Sequence, residues 1–334
     1  MINGPFRPWG KVSWLMPKLG IEPWHLLGAL STEDRCLSVL YYHNQGFSIS
    51  HSLLLRIVDP PSRFSQLCEE RRSRLLSEHT QLRGTVDHIA DFELFSRPAT
   101  IRSEVERFAA NTNGRIILDI SSLPKRYFFP ILRWLVGSPT VKDLIVTYST
   151  PTGYHSGELA FEPREWAHIP TFQKPEVPPI VKAEKVVVGV GFIPFGLPGL
   201  LKDNHADADV ILIFPFPPGA PHMQRNWRFV TEIDNVSQLS DDRSIRRIDV
   251  NDMPGCFLEI ESITDKGAAK TVFAPYGPKP HSVAMCLFSV THECDVFYTQ
   301  PRFYHPEYTF GRAMENGLPK GSAYLIKRAG SQLY

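Results

Sequence analysis

The sequence has no run of 18 or more uninterrupted apolar residues, the length a membrane-spanning helix requires. It also has no C-x-x-C pair. Its five cysteines, Cys36, Cys68, Cys256, Cys286 and Cys294, are odd in number and widely spaced, which argues for free thiols acting as small hydrophobes and against a zinc cluster or a disulfide framework. No G-x-S-x-G elbow, H-E-x-x-H helix, P-loop or kinase signature is present, so no motif names a reaction. Excess charge is lacking as well: 36 basic and 35 acidic residues leave a net charge of +1, which does not support a surface that traps nucleic acid, although a local basic groove stays open. The opening Met1-Ile2-Asn3-Gly4-Pro5-Phe6-Arg7-Pro8 lacks the basic-then-apolar order of a signal peptide. The expectation is a cytoplasmic globular protein with no membrane segment, cofactor or metal.

What the sequence does contain is a repeat. Tyr148-Ser149-Thr150-Pro151-Thr152-Gly153-Tyr154 and Tyr298-Thr299-Gln300-Pro301-Arg302-Phe303-Tyr304 both read Y-[S/T]-x-P-x-x-Y. Each follows a short apolar run that reads as a buried strand, Leu144-Ile145-Val146 and Val296-Phe297, so the repeat takes in the strand and the loop that leaves it. Cys36 to Tyr154 and Val186 to Tyr304 each span 119 residues. Between those ends, Ile117-Leu118-Asp119 with Leu123-Pro124-Lys125 pairs with Val272-Phe273-Ala274 with Gly277-Pro278-Lys279. The pattern predicts an internally duplicated chain.

At 334 residues the length also favours two domains. The expected organisation is a Trp- and Pro-rich N-terminal segment (1–35), a first unit (36–160), a Pro-rich linker (161–184), a second unit (185–311) and a tail (312–334). In the first unit Cys36 to Tyr41 reads as the opening strand, Pro61 to Gly84 as a solvated amphipathic helix and Ala99 to Asn111 as a second helix. Arg115 to Ile120 then reads as a buried strand, Tyr127 to Val136 as an apolar helix and Leu144 to Tyr148 as the last strand. The second unit restarts at Lys185 to Gly191 and continues through Val210 to Phe214, Ile245 to Asp249, Lys270 to Phe273 and Val296 to Tyr298. Strands alternating with helices imply crossover connections and parallel sheets. The predicted fold is α/β, two tandem Rossmann-like units with a pseudo-twofold relation.

In such a sheet, ligands bind beyond the carboxyl ends of the strands, where loops meet helix N-termini that favour anions. Lys125 and Lys279 fall in such loops. Ser121, Ser122 and Arg126 surround the first, and Ser282 the second, which is the chemistry a phosphate or carboxylate calls for. Ser-Ser-x-Pro is equally an ordinary helix start. Tyr148, Tyr154, Tyr298 and Tyr304 could stack on a base and hydrogen-bond its edge, or could simply close the core over a proline. Asp119 is the candidate catalytic carboxylate, or a cap for its own loop. The glycines Gly189, Gly191 and Gly196 have the wrong spacing for a dinucleotide fingerprint, with Pro194 inside. Asp203, His205, Asp207 and Asp209 precede a strand and read as a solvated loop rather than a metal site, and His292-Glu293-Cys294 is too compact for a triad.

This organisation resembles the tandem Rossmann-like sensors of nucleotide second messengers in bacterial immune systems, the CARF-type and SAVED domains. The likeness is one of architecture over residues ~36–310 and rests on no shared motif. It implies a sensor that binds a nucleotide-like or phosphorylated ligand, with Lys125, Arg126, Lys279 and the four tyrosines in contact, and acts through a partner protein. A nucleotide-processing hydrolase using Asp119 in one competent half, and a structural subunit of a larger complex, are the two other readings.

Overall fold

The computed structural model describes residues 6–83, 88–173, 182–216, 222–237, 239 and 244–334. In chain order it begins with β1 (Trp9–Lys11), α1 (Val12–Leu15), β2 (Trp24–Ala29), a 3-10 helix (Asp34–Tyr42), β3 (Ile49–Val58), α2 (Ser65–Arg83) and β4 (His88–Glu93). There follow α3 (Pro98–Ala110), β5 (Arg115–Asp119), α4 (Lys125–Gly137), β6 (Asp143–Ser149) and the short β7 (Gly153–Tyr154), β8 (Ala160–Pro163) and β9 (Ala167–His168). Next come β10 (Lys185–Gly189), α5 (Leu197–Asn204), β11 (Asp209–Phe216), α6 (His222–Ser237), β12 (Ile245–Asp249), α7 (Met253–Ile263), β13 (Thr271–Pro275), α8 (Lys279–His292) and β14 (Asp295–Tyr298). The chain closes with β15 (Pro301–Tyr304), β16 (Thr309–Phe310), β17 (Met314–Glu315), β18 (Leu318–Pro319), β19 (Gly321–Arg328) and β20 (Ser331–Gln332).

Two compact units result. The first takes residues 1–162 and 301–334, the second residues 163–300. The main sheet of the first unit runs β1-β19-β6-β5-β2-β3-β4. From β6 to β4 every pairing is parallel. Its inner strands β2, β5 and β6 are buried on both faces, as are Leu53, Leu54 and Leu55 of β3, and near-continuous apolar runs are what a parallel sheet covered on both sides needs. On one face Leu26, Leu54, Ile117 and Ile145 pack with Leu37 and Leu40 of the 3-10 helix and Leu75 of α2. The sheet of the second unit runs β12-β11-β10-β13-β14-β9, parallel except for the antiparallel β9. Leu197 and Leu200 of α5 and Phe229 and Ile233 of α6 cover Val186, Val188 and Leu212, while Phe288 of α8 stacks against Phe257 of α7 and Phe273 of β13.

Several sequence expectations need correction. Cys36 to Tyr41 is not the opening strand: it lies in the 3-10 helix, and the central strand is β2, drawn from the segment expected to be irregular. All six residues of β2 are buried, so Trp24-His25-Leu26-Leu27 offers no polar alternation to announce it. The equal spacing from Cys36 and Val186 therefore does not align strands, since Val186 sits in β10 and Cys36 in a helix. Residues 312–334 are no tail, because β19 lies between β1 and β6. Tyr304, assigned to the second unit, belongs to the first. Part of the expected linker is structured: β9 pairs with β14, and Ile169 and Phe172 are buried; its Pro175, Pro178 and Pro179, with Gly84 of the expected helix, lie outside the described residues.

Candidate functional site

Asp119 ends β5 and is 2% exposed. Its Oδ1 accepts from the Ser121 hydroxyl at 2.6 Å, the Thr147 hydroxyl at 3.1 Å and the Ser121 amide at 3.3 Å. Ser121 Oγ in turn accepts the Ser149 N–H at 2.8 Å. The carboxylate thus binds the loop after β5 to the end of β6.

From the first turn of the 3-10 helix comes Arg35, whose guanidinium donates to the Ser149 carbonyl at 3.4 Å and, through Nε and one terminal nitrogen, to Glu33 at 3.1 and 2.9 Å. Thr309 also donates its hydroxyl to Glu33. Burial alone would lower the Arg35 pKa, but the Glu33 carboxylate, with Tyr148 and Tyr154 nearby, raises it above its ordinary value, so the side chain stays charged. Its guanidinium carbon lies 5.5 Å from the centre of the Tyr148 ring. Tyr154 and Tyr304 each meet Tyr308 edge to face, at 6.1 and 5.8 Å. Burial, then Tyr148, pushes the Tyr154 hydroxyl well above the usual phenol range, and burial followed by Tyr304 does the same to Tyr308. These phenols are neutral donors at physiological pH.

The α4 helix opens on Lys125, directly after Pro124 as its N-cap. Lys125 is 8% exposed and Ser122 9% exposed, a placement that long charged side chains rarely take. Arg126 stacks over the Phe95 ring at 5.1 Å. Among the described residues, the hydroxyls of Ser122 and Ser149 are buried with no hydrogen-bond partner. The Ser38 and Ser289 hydroxyls are buried in the same way.

The corresponding loop of the second unit starts the same way, with Pro278 as N-cap and Lys279 as the first residue of α8. Three of its side chains bond nearby protein atoms, while His281 Nδ1 is buried with no hydrogen-bond partner. Ser282 Oγ donates back to the Pro278 carbonyl at 3.1 Å. His281 Nε2 bonds the Asp249 carbonyl at 2.8 Å, and Tyr276 donates to Thr299 Oγ1 at 2.9 Å, its ring 5.1 Å from that of Tyr298. The loop backbones also close on each other: a Cβ on Gly191 would stand 2.2 Å from the Tyr276 carbonyl oxygen.

Burial lowers the pKa of His281 to about 4. An unfolded chain binds this proton near pH 6.5 and the folded one does not, so the associated stability is present above the unfolded value and is lost as pH falls toward the folded one. About 3 kcal/mol, at roughly 1.4 kcal/mol per unit, is expected to disappear between about pH 6.5 and 4. Denaturant titrations across that range will show it, and His281→Gln will flatten the dependence.

The fold thus gathers Asp119, Ser121, Ser122, Lys125, Arg126, Tyr148, Tyr154 and Tyr304 in the first unit and places Lys279, Ser282 and Tyr298 in the second. Sequence reasoning missed Glu33, Arg35, Thr147, Tyr308 and Thr309. Arg35 was hidden because the run after it was read as a strand; the charged Glu33-Asp34-Arg35 following the apolar Leu26 to Leu30 was the available signal. The Asp207 carboxylate of the acidic loop is exposed and paired with Lys182 at 2.8 Å, as a solvated loop would be. No protein-family model matches this chain, and no curated protein matches it.

Proposed function

We propose that the chain is a binding or sensor module whose first unit holds a phosphorylated, nucleotide-like ligand at the carboxyl ends of β2, β5 and β6 and acts through a partner protein. The observation that carries this reading is the start of α4, where a buried lysine stands beside the buried, unpartnered Ser122 hydroxyl. A helix N-terminus with a cation and hydroxyls favours a phosphate over any neutral group. Lys125, Ser122 and Arg126 are assigned to the anion, Ser121, whose hydroxyl and N–H both donate to Asp119, to holding the loop in place, and Tyr148, Tyr154 and Tyr304 to the rest of the ligand. Support for two Rossmann-like units comes from strand order. Numbered from β2 and from β10, the five parallel strands of each unit run 3-2-1-4-5, and β5 adjoins the point where that order reverses, the usual place for a ligand. The matched Pro-Lys helix starts add to the case for a duplication.

The binding roles are unequal. In the second loop Ser282 Oγ bonds the Pro278 carbonyl and His281 Nε2 the Asp249 carbonyl, and Lys279, Ser282 and Tyr298 are assigned a lesser part. Asp119, held by three donors on one oxygen, is better suited to anchoring Ser121 than to moving a proton, which favours a binder over a hydrolase.

Thermal shift of the purified protein against inorganic phosphate, mononucleotides, linear dinucleotides and cyclic oligonucleotides tests the proposal. A ligand at 100 times its dissociation constant stabilises by about 2.7 kcal/mol, and Lys125→Ala is expected to weaken binding roughly 10- to 100-fold, the equivalent of a charged hydrogen bond. No shift with any ligand would leave the structural-subunit reading in place.

A further inference from the structure

The Y-[S/T]-x-P-x-x-Y repeat is followed in both copies by histidine, His155 after Tyr154 and His305 after Tyr304, 150 residues apart in the chain. The fold brings the two together. Their rings stack with centroids 3.9 Å apart and planes 13° apart, on loops whose backbones are joined by the bond from His155 N–H to the Tyr308 carbonyl at 3.2 Å. Glu307 completes a group in which one ligand atom from each residue lies within 4.8 Å of the others. All three side chains are half-buried, and Phe64 and Phe161 flank His305 with ring centres 4.8 and 6.5 Å from its own.

We propose that His155, His305 and Glu307 bind one divalent transition-metal ion of the zinc class. Two imidazoles and a carboxylate are the donor set such ions take, in preference to magnesium or calcium, which want oxygen alone. Three protein ligands leave a fourth position for water or for an oxygen of an anionic ligand. The site does not depend on the phosphate reading above, since none of its ligands belongs to the α4 start.

Two contacts must change on loading. No single ion lies in both planes of a parallel stack, so at least one ring turns about its Cβ–Cγ bond. His305 Nδ1 now accepts the Glu307 N–H at 3.1 Å. A metal on Nδ1 takes that lone pair, and a metal on Nε2 forces the proton onto Nδ1, so the bond breaks either way. Glu307 Oε1 also accepts from Arg71 at 2.6 Å, and that guanidinium competes with the metal for the carboxylate.

The test is titration of zinc into the full-length protein against a chromophoric chelator, with amide NMR on the same samples. One equivalent of zinc is expected to bind, at least about tenfold more weakly in His155→Gln and in His305→Gln, the minimum that even an outer-shell change causes. Arg71→Gln is expected to tighten it by freeing Glu307, Lys125→Ala to leave it unchanged, and the Glu307 amide signal to move on loading. No binding, or binding that survives both histidine substitutions and so belongs elsewhere on the chain, overturns the assignment. Weaker binding in Arg71→Gln removes Glu307 from the site and overturns the three-ligand proposal. Loss of binding in the histidine variants counts only if their thermal midpoints match the wild type; where they do not, the Arg71→Gln and Glu307 amide results decide.

Discussion

A chain ending at Gly311 is expected to lose the folded first unit altogether. The deletion removes β19, which pairs with β1 on one side and β6 on the other, and with it Ala323, Tyr324, Leu325 and Ile326, each no more than 3% exposed. Burying a large apolar side chain contributes about 1.5–3 kcal/mol, so the three large ones together approach the roughly 5–15 kcal/mol that holds a whole domain folded. The β6 edge, including Val146 and Tyr148, would also be left unpaired and prone to association. Circular dichroism and size exclusion will show a partly unfolded, aggregating product. A truncated chain as stable as the full one would mean that the C-terminal strand does not belong to this sheet.

The largest effect of a single substitution is expected at Arg35. Its side chain is 4% exposed and that of Glu33 13%, so Arg35→Met leaves a carboxylate largely buried with the Thr309 hydroxyl as its remaining described donor besides its surroundings. Breaking such a pair costs about 3–5 kcal/mol, whereas replacing both partners by apolar residues of similar size is often neutral. Arg35→Met should therefore lower the urea midpoint strongly, and Arg35→Met with Glu33→Leu should regain much of the loss. If the double variant is as unstable as the single, the pair contributes by its shape and hydrogen bonds to Ser149 and Thr309 rather than by charge balance.

Elements with a clear signal were legible in the sequence. The β5 run Arg115 to Asp119 and the apolar run of β6 fall where their residues place them, and the helix expected from Tyr127 is present but starts two residues earlier, so Lys125 and Arg126 lie in its first turn and not in a loop. The opening of the first unit was not legible. Trp24 to Ala29 looks like an irregular aromatic segment until β3 and β5 pair with it on either side, and Cys36 to Tyr41, which has the composition of a strand, is wound into a 3-10 helix that covers Leu26 and Leu54. Nor does any local pattern say that Gly321 to Arg328 crosses back to β6, since that pairing joins residues more than 170 positions apart. For the site, the polar residues beside β5 could be named in advance, but Arg35 and Tyr308 could not, because their contacts depend on loops from distant parts of the chain. The tyrosine repeat was visible, yet its two copies were assigned to opposite units, and only the fold shows Tyr154 and Tyr304 both packed against Tyr308.

The central claim is that the start of α4, ahead of the start of α8, is the main anion site. Titrating inorganic pyrophosphate into isotopically labelled protein and following the backbone amides tests it most directly. The account predicts that the signals of Ser121, Ser122, Lys125 and Arg126 move together with one saturating curve, that Lys125→Ala weakens binding roughly 10- to 100-fold, and that Lys279 and its neighbours move less. Shifts centred on Lys279, equal shifts at both helices, or none at either would contradict it.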